Sequence, residues 1–251
     1  MEFEGKVVLV TGSTSGIGEE IVSVFAANGA KVVVTGRDQT RLNNVLQKCE
    51  KLAQGKQKPF GFIADITKDE ECNKLIDATI KHFGKLDILV NNAGVSQFAA
   101  VGDPSLLKAF DDTLAVNVRP TIHLSNLAVP YLTETKGCIV NITSFKAQKP
   151  SIMMLPLCAT DAAKEMITKS MALELGPKGV RVNCVRAGFI KTPAYENSGY
   201  SFEDVMKSVK QSLDKYGAPE DVAHCVLFLC SEKSAFITGT CLQADGGVSD
   251  N

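Results

Sequence analysis

Short runs of Val, Ile and Leu recur along the chain at 6–12 (KVVLVTG), 30–36, 59–66, 86–94, 137–144, 180–188 and 240–247. They are nearly continuous in apolar residues, and most close on Gly, Asn or Asp. Strands of this kind are buried on both faces, as in a parallel sheet covered by helices. Between them lie helical patterns at 18–28, 39–52, 68–83, 104–129, 159–175 and 219–230. The alternation predicts an α/β doubly wound fold with about seven parallel strands, helices on both faces and right-handed crossovers. No Pro/Ser/Gly-rich tract, low-complexity stretch or repeat divides it, so residues 1–251 are expected to form one domain.

Composition narrows this picture. The chain is 45% hydrophobic and 22% charged, with a net charge of −1. Nothing in that balance points to nucleic acid or to an acidic membrane surface. No apolar run approaches the roughly 20 residues of a membrane span. The N-terminal MEFEGKVVLVTG enters a strand without a leader-like pattern. Eight cysteines show no CxxC and no paired framework, and His82, His123 and His224 lie far apart. The cysteines read as reduced core residues, so the expectation is a soluble cytoplasmic protein without a metal site.

The chemistry begins at TGSTSGIG. It follows the first strand directly and opens the first helix. Among Gly12, Gly16 and Gly18, one allows a tight turn, one a close backbone approach to a pyrophosphate, and one close helix–strand packing. Ser13, Thr14, Ser15 and Ile17 complete the turn, and the helix N-terminus offers N–H groups to phosphate. The second strand ends in Gly36 and Arg37, where an acidic residue would suit the 2′-hydroxyl of NAD. A guanidinium suits the 2′-phosphate instead, which favours NADP(H) over NAD(H). The other reading leaves Arg37 as a solvated cation partly neutralised by Asp38.

With these motifs and those that follow, the chain resembles the short-chain dehydrogenases/reductases, over nearly its whole length. TGSTSGIG matches the family's glycine turn. NNAG, with Asn91, Ala93 and Gly94, matches its fourth-strand signature. Asn117 and Ser144 match the active-site Asn and Ser. Asp65 stands where the family places a carboxylate against adenine. RAGFIKTP, with Gly188, Ile190 and Thr192, resembles the cofactor loop, with Ala187 where Pro is usual. The resemblance implies a Rossmann-type fold, hydride transfer between nicotinamide and a carbonyl or alcohol carbon, and a homodimer or homotetramer.

The family's proton chemistry rests on a Tyr and, one helical turn later, a Lys that lowers the Tyr pKa. Neither is in place here. Counting about thirteen residues on from Ser144 reaches Leu157. Counting about thirteen back from Glu174 of MALE reaches Asp161. The two positions are four apart, so both anchors agree. Shifting the register to Thr160 and Lys164 would turn the helix by about 300°. Leu157 has no proton to give. Asp161 replaces a cation with an anion, although it could accept hydrogen bonds from a ribose. Loss of general acid catalysis is typically worth about 10² to 10⁴ in rate.

Three readings follow: a catalytically impaired or inactive NADP(H)-binding protein; an oxidoreductase with a displaced donor, drawn from Cys158, Ser144, Tyr195 and Tyr200; and a non-catalytic subunit of an oligomer. The segments KAQKPSIMMLP and AYENSGYSFEDVMKSVKQ are expected to border the ligand pocket, and Met153, Met154 and Leu155 suggest an apolar ligand.

Overall fold

The computed structural model describes residues 2–193, 201–207 and 209–249. Seven parallel strands form one sheet: β1 (Val7–Val10), β2 (Lys31–Gly36), β3 (Phe60–Ile63), β4 (Ile88–Asn91), β5 (Cys138–Ser144), β6 (Arg181–Ala187) and β7 (Cys241–Ala244). Their order is β3-β2-β1-β4-β5-β6-β7, so the winding reverses between β1 and β4. Residues alternate across the sheet into two cores. Val8, Val10, Val32 and Val34 pack with α1 (Gly16–Ala27) and α8 (Pro219–Cys230). Val7, Leu9, Leu89 and Ile139 pack on the other face with α3 (Asp69–Phe83) and α5 (Arg119–Thr135). Burial on both faces is why the strands read as unbroken apolar runs.

The remaining helices are α2 (Gln39–Leu52), α4 (Leu106–Asn117), α6 (Leu155–Leu175) and the short α7 (Phe202–Lys207). Two expectations change. The single helix expected over 104–129 is two helices that meet at Val118. Pro120, which has no N–H, lies in the first turn of α5; it cannot extend the α4 ladder but suits a helix start. The helix expected from 159 begins at Leu155 because Pro156 sits in its first turn. Leu157 and Cys158 are therefore helical. Among the described residues, no helix is long and apolar enough to cross a membrane.

Candidate functional site

A cleft of about 560 Å³ opens at the carboxyl ends of β1, β2 and β4. That is the switch point where open α/β sheets hold ligands. Gly12, Thr14, Ser15, Gly16, Ile17 and Gly18 line it, as do Arg37, Asp65, Ala93, Gly94 and Thr192. Gly12 has φ +63°, and a Cβ there would stand 3.0 Å from the Ala93 Cα. A Cβ on Gly18 would stand 2.4 Å from the Gly12 carbonyl oxygen. No side chain caps the N-terminus of α1, so its first N–H groups are not engaged by a cap. Backbone clearance and a helix N-terminus are what a pyrophosphate needs, and a nicotinamide dinucleotide fits this cradle.

The cleft's adenosine side is polar. Gly36 leaves room for Thr14, whose Oγ1 would lie 2.6 Å from an added Cβ. Arg37 is exposed, and Arg41, which the sequence reading did not single out, joins it. Its signal was its place three residues after Asp38. The Asp38 carboxylate accepts the Arg41 N–H at 2.9 Å and caps α2. Asp65 accepts from the Thr67 hydroxyl at 2.8 Å and from its N–H at 3.1 Å. The hydroxyl bond is the leading cause that holds the Asp65 carboxyl below its ordinary range, with burial opposing.

Five residues expected at the cofactor do not line this cleft. Ser13 is buried against β2, where its Oγ accepts the Thr35 N–H at 2.9 Å. The Asn91 side chain turns into the core, donating to Ser125 Oγ at 3.1 Å and Asn141 Oδ1 at 2.9 Å. Asn92 lines the cleft in its place. The Ile190 side chain is buried in the core. Gly188 packs against Asp245, whose Cα would stand 2.5 Å from an added Cβ. Asp161 is buried at the end of β5.

That last position lies on the face of α6 that meets the ends of β5 and β6. Asp161 Oδ2 accepts the Ser144 hydroxyl at 2.5 Å and the Ser144 N–H at 3.0 Å. Lys164, 2% exposed, donates to the Ile142 carbonyl at 2.8 Å. Thr168 Oγ1 accepts from Asn141 at 2.8 Å. On the neighbouring strand, Arg186 grips Glu165 with two bonds of 2.8 Å. Helix α6 thus holds the sheet by a row of buried polar contacts. Burial pushes the Asp161 carboxyl above its ordinary range, against the opposing effects of Ser144 and Lys164. It pushes the Lys164 ammonium down, against Asp161. Thr160, the other half of the shifted register, donates to the Pro156 carbonyl at 2.8 Å inside the same helix.

The remaining candidates are distributed around this face. Asn117 clasps Val95, accepting its N–H at 2.8 Å and donating to its carbonyl at 3.0 Å. Leu157 and Cys158 are half-buried. Tyr195 and Tyr200 lie outside the described residues. The fold gathers three metal-ligand types that sequence spacing kept apart: Glu165, Cys184 and Cys241 have ligand atoms within 4.8 Å of one another. The Glu165 carboxylate is engaged by Arg186, and Cys184 contacts Thr143 Oγ1 at 3.1 Å.

A glycine-lined switch-point cleft on a seven-stranded parallel sheet defines a doubly wound α/β scaffold of the dinucleotide-binding class. Residues 12–249 match a family described as Enoyl-(Acyl carrier protein) reductase. An L-fucose dehydrogenase from Bos taurus is 35% identical, over 98% of this chain and 90% of that protein. A 3-oxoacyl-[acyl-carrier-protein] reductase FabG from Thermotoga maritima is 31% identical, over 99% of each. A 7α-hydroxysteroid dehydrogenase solved with NADH and 7-oxo glycochenodeoxycholic acid superposes with a TM-score of 0.91 at 35% identity, covering 99% of this chain and 96% of that one. The chain belongs to the short-chain dehydrogenase/reductase family of oxidoreductases.

Proposed function

We propose that the chain is an NADP(H)-binding member of this family that is catalytically impaired or inactive, because Leu157 and Asp161 occupy the places of the proton donor and its cation. The observation that carries the reading is the 2.5 Å bond from the Ser144 hydroxyl to Asp161. In an active member that hydroxyl is free to orient a substrate oxygen. Here it is held by a buried carboxylate, which gives Ser144 a structural reason to persist. Asn117 is engaged with Val95 in the same way.

The cleft residues hold the dinucleotide through backbone N–H groups at Thr14–Gly18, with Arg37 and Arg41 toward the 2′-phosphate. When bound, the nicotinamide supplies the hydride chemistry. This chain's part is to bind, orient and enclose, and neither Leu157 nor Asp161 performs the family's proton step. Reduced thiols fit a cytoplasmic setting. Exposed apolar residues on α5 and α6, including Ile122, Met166 and Leu173, fit assembly into a homodimer or homotetramer, and a non-catalytic subunit is compatible with the same face.

A second reading keeps turnover. The relatives above are named as dehydrogenases and reductases, so a displaced donor, Cys158, Tyr195 or Tyr200, would serve a carbonyl substrate. One preparation separates the two. NADPH and NADH are titrated by the nucleotide's own fluorescence, and bound NADPH is then followed with a panel of small ketones. Saturable NADPH binding without oxidation supports the first reading. Ketone-dependent oxidation that Cys158→Ala, Tyr195→Phe or Tyr200→Phe abolishes replaces it with the second.

A further inference from the structure

Lys146 stands two residues beyond Ser144, in the single 3₁₀ turn Phe145–Ala147 that leaves β5. It is 8% exposed. Its backbone N–H donates to Ser144 Oγ at 3.2 Å, and its Nζ donates to Ser151 Oγ. The ammonium lies 4.2 Å from the ring centre of Phe145 and 5.9 Å from that of Phe189. The charged or titratable neighbours that act on it are the Cys158 thiol and the Lys149 ammonium. Lys149 is itself turned to the Val248 carbonyl at 2.9 Å. Among the described residues no carboxylate pairs with Lys146.

An ammonium placed this deep without an anion is unfavourable. One hydroxyl and two aromatic faces compensate only in part. Burial accordingly pushes the Lys146 ammonium below its ordinary range. The place matters as much as the burial. Ligands of open α/β sheets bind outside the carboxyl ends of the strands. Lys146 follows the end of β5, and Phe189 follows the end of β6. Ser151, which meets the Lys146 ammonium, lies three residues before Met154, which is bridged to Ala99. Half-buried Ser144, Leu157 and Cys158 lie on the same side.

We propose that the face beyond the ends of β5 and β6 binds a small amphipathic anion, an apolar body carrying a carboxylate, with Lys146 as its counter-ion. The apolar body lies against Phe145, Phe189 and Leu157, and the carboxylate meets the Lys146 ammonium beside Ser151. The proposal rests on the reading of the chain as an NADP(H)-binding protein, and gives the face beside its dinucleotide cleft a ligand class. It sharpens the expectation of an apolar ligand by adding a required negative charge.

The test uses octanoate and 1-octanol, which share a chain and differ in charge. Each is titrated by calorimetry into the full chain saturated with NADP⁺, which keeps the dinucleotide cleft filled. The wild type should bind octanoate at least about tenfold more tightly than octanol, a fraction of a fully desolvated charge pair. Lys146→Met should erase that preference by weakening octanoate alone, and Lys146→Arg should keep part of it. Thermal melting and NADPH titration of each variant establish that fold and cleft are intact. Equal affinities in the wild type, no measurable octanoate binding, or an unchanged preference in Lys146→Met would overturn the proposal. Failure of the wild type to bind NADPH would instead strike the reading of the cleft, since octanoate is also titrated without nucleotide.

Discussion

Ser144 and Asp161 are joined twice: one carboxylate oxygen accepts both the hydroxyl, at 2.5 Å, and the backbone N–H, at 3.0 Å. The contact ties the last residue of β5 to the first third of α6. Asp161→Ala should strip both donors of their acceptor and leave the buried Lys164 without its nearby anion. The expected loss is about 2–4 kcal/mol, a fall in Tm of about 5–15 °C. Ser144→Ala removes one donor only and should lose about 1 kcal/mol. Thermal and urea unfolding of the two variants checks the order. A larger loss for Ser144→Ala would contradict it.

The same carboxyl gives a pH signature. Its folded pKa is raised by burial. An acid with a raised folded pKa holds its proton more tightly in the folded chain. Its contribution to stability is full below the unfolded value, about 4, and declines as pH rises through the folded value. Asp161→Asn removes this titration and keeps one acceptor oxygen. The unfolding free energy of wild type minus variant should therefore fall as pH rises above about 4 and then level off. Urea midpoints across that range measure it, and a difference that rises with pH would contradict the assignment.

Restoring the missing pair is harder than it looks from sequence. Leu157→Tyr with Asp161→Lys removes the clasp on Ser144 and sets two ammonium groups three residues apart in a buried row. The double variant should be unstable and show no ketone-dependent oxidation of NADPH above that of the wild type. Adding Lys164→Met removes the repulsion with a side chain of similar length. The triple variant should oxidise NADPH with ketones at least about 10²-fold faster than wild type, the low end of what general acid catalysis supplies. A triple variant that folds, binds NADPH and stays at background would show that the absent pair is not what limits the site.

Much of this was legible in the chain. The continuous apolar runs gave the strands because both faces of the five central ones are covered, while the edge strands β3 and β7 are only partly buried. TGSTSGIG gave the cradle because only glycine tolerates the Ala93 and Gly12 contacts at 12 and 18. Two spacings assign Leu157 and Asp161 to the places of the family's Tyr and Lys, and the restored variants test that assignment. What the pattern hid was direction. Asn91 and Ser13 belong to matching motifs, yet their side chains face the core, and strand periodicity alone does not say which end of a strand meets a ligand. The burial of Lys146, Lys164 and Glu165 leaves no mark in the hydrophobic pattern. Only the packing of α6 and of the turn after β5 buries them.

The proposed preference for NADP(H) rests on Arg37, with Arg41 lining the same cleft. A guanidinium that meets a 2′-phosphate makes charge-assisted bonds absent from the complex with NADH. Arg37→Ala should weaken NADPH about 10- to 100-fold and change NADH by less than about threefold. Arg41→Ala should act in the same direction by a smaller factor. Fluorescence titrations with both nucleotides decide it. Equal losses for NADPH and NADH would assign Arg37 a role in the loop alone.

Glu165 and Arg186 form a buried two-bond ion pair between α6 and β6, at 2.8 Å for each bond. Arg186 also donates to Gln243 at 3.2 Å, which carries the contact on to β7. Removing one partner strands the other charge in a poorly solvated place, so Glu165→Met or Arg186→Met alone should lose about 3–5 kcal/mol. Replacing both removes the two desolvation penalties together, and the Glu165→Met/Arg186→Met variant should be far closer to wild type than the sum of the singles. The hydrogen bonds to Glu165 hold the Arg186 guanidinium above its ordinary pKa, with burial opposing. Urea unfolding of the four proteins gives the coupling energy. Additive losses would mean that the two side chains act through separate contacts, with Arg186 serving Gln243 and the pairing adding little.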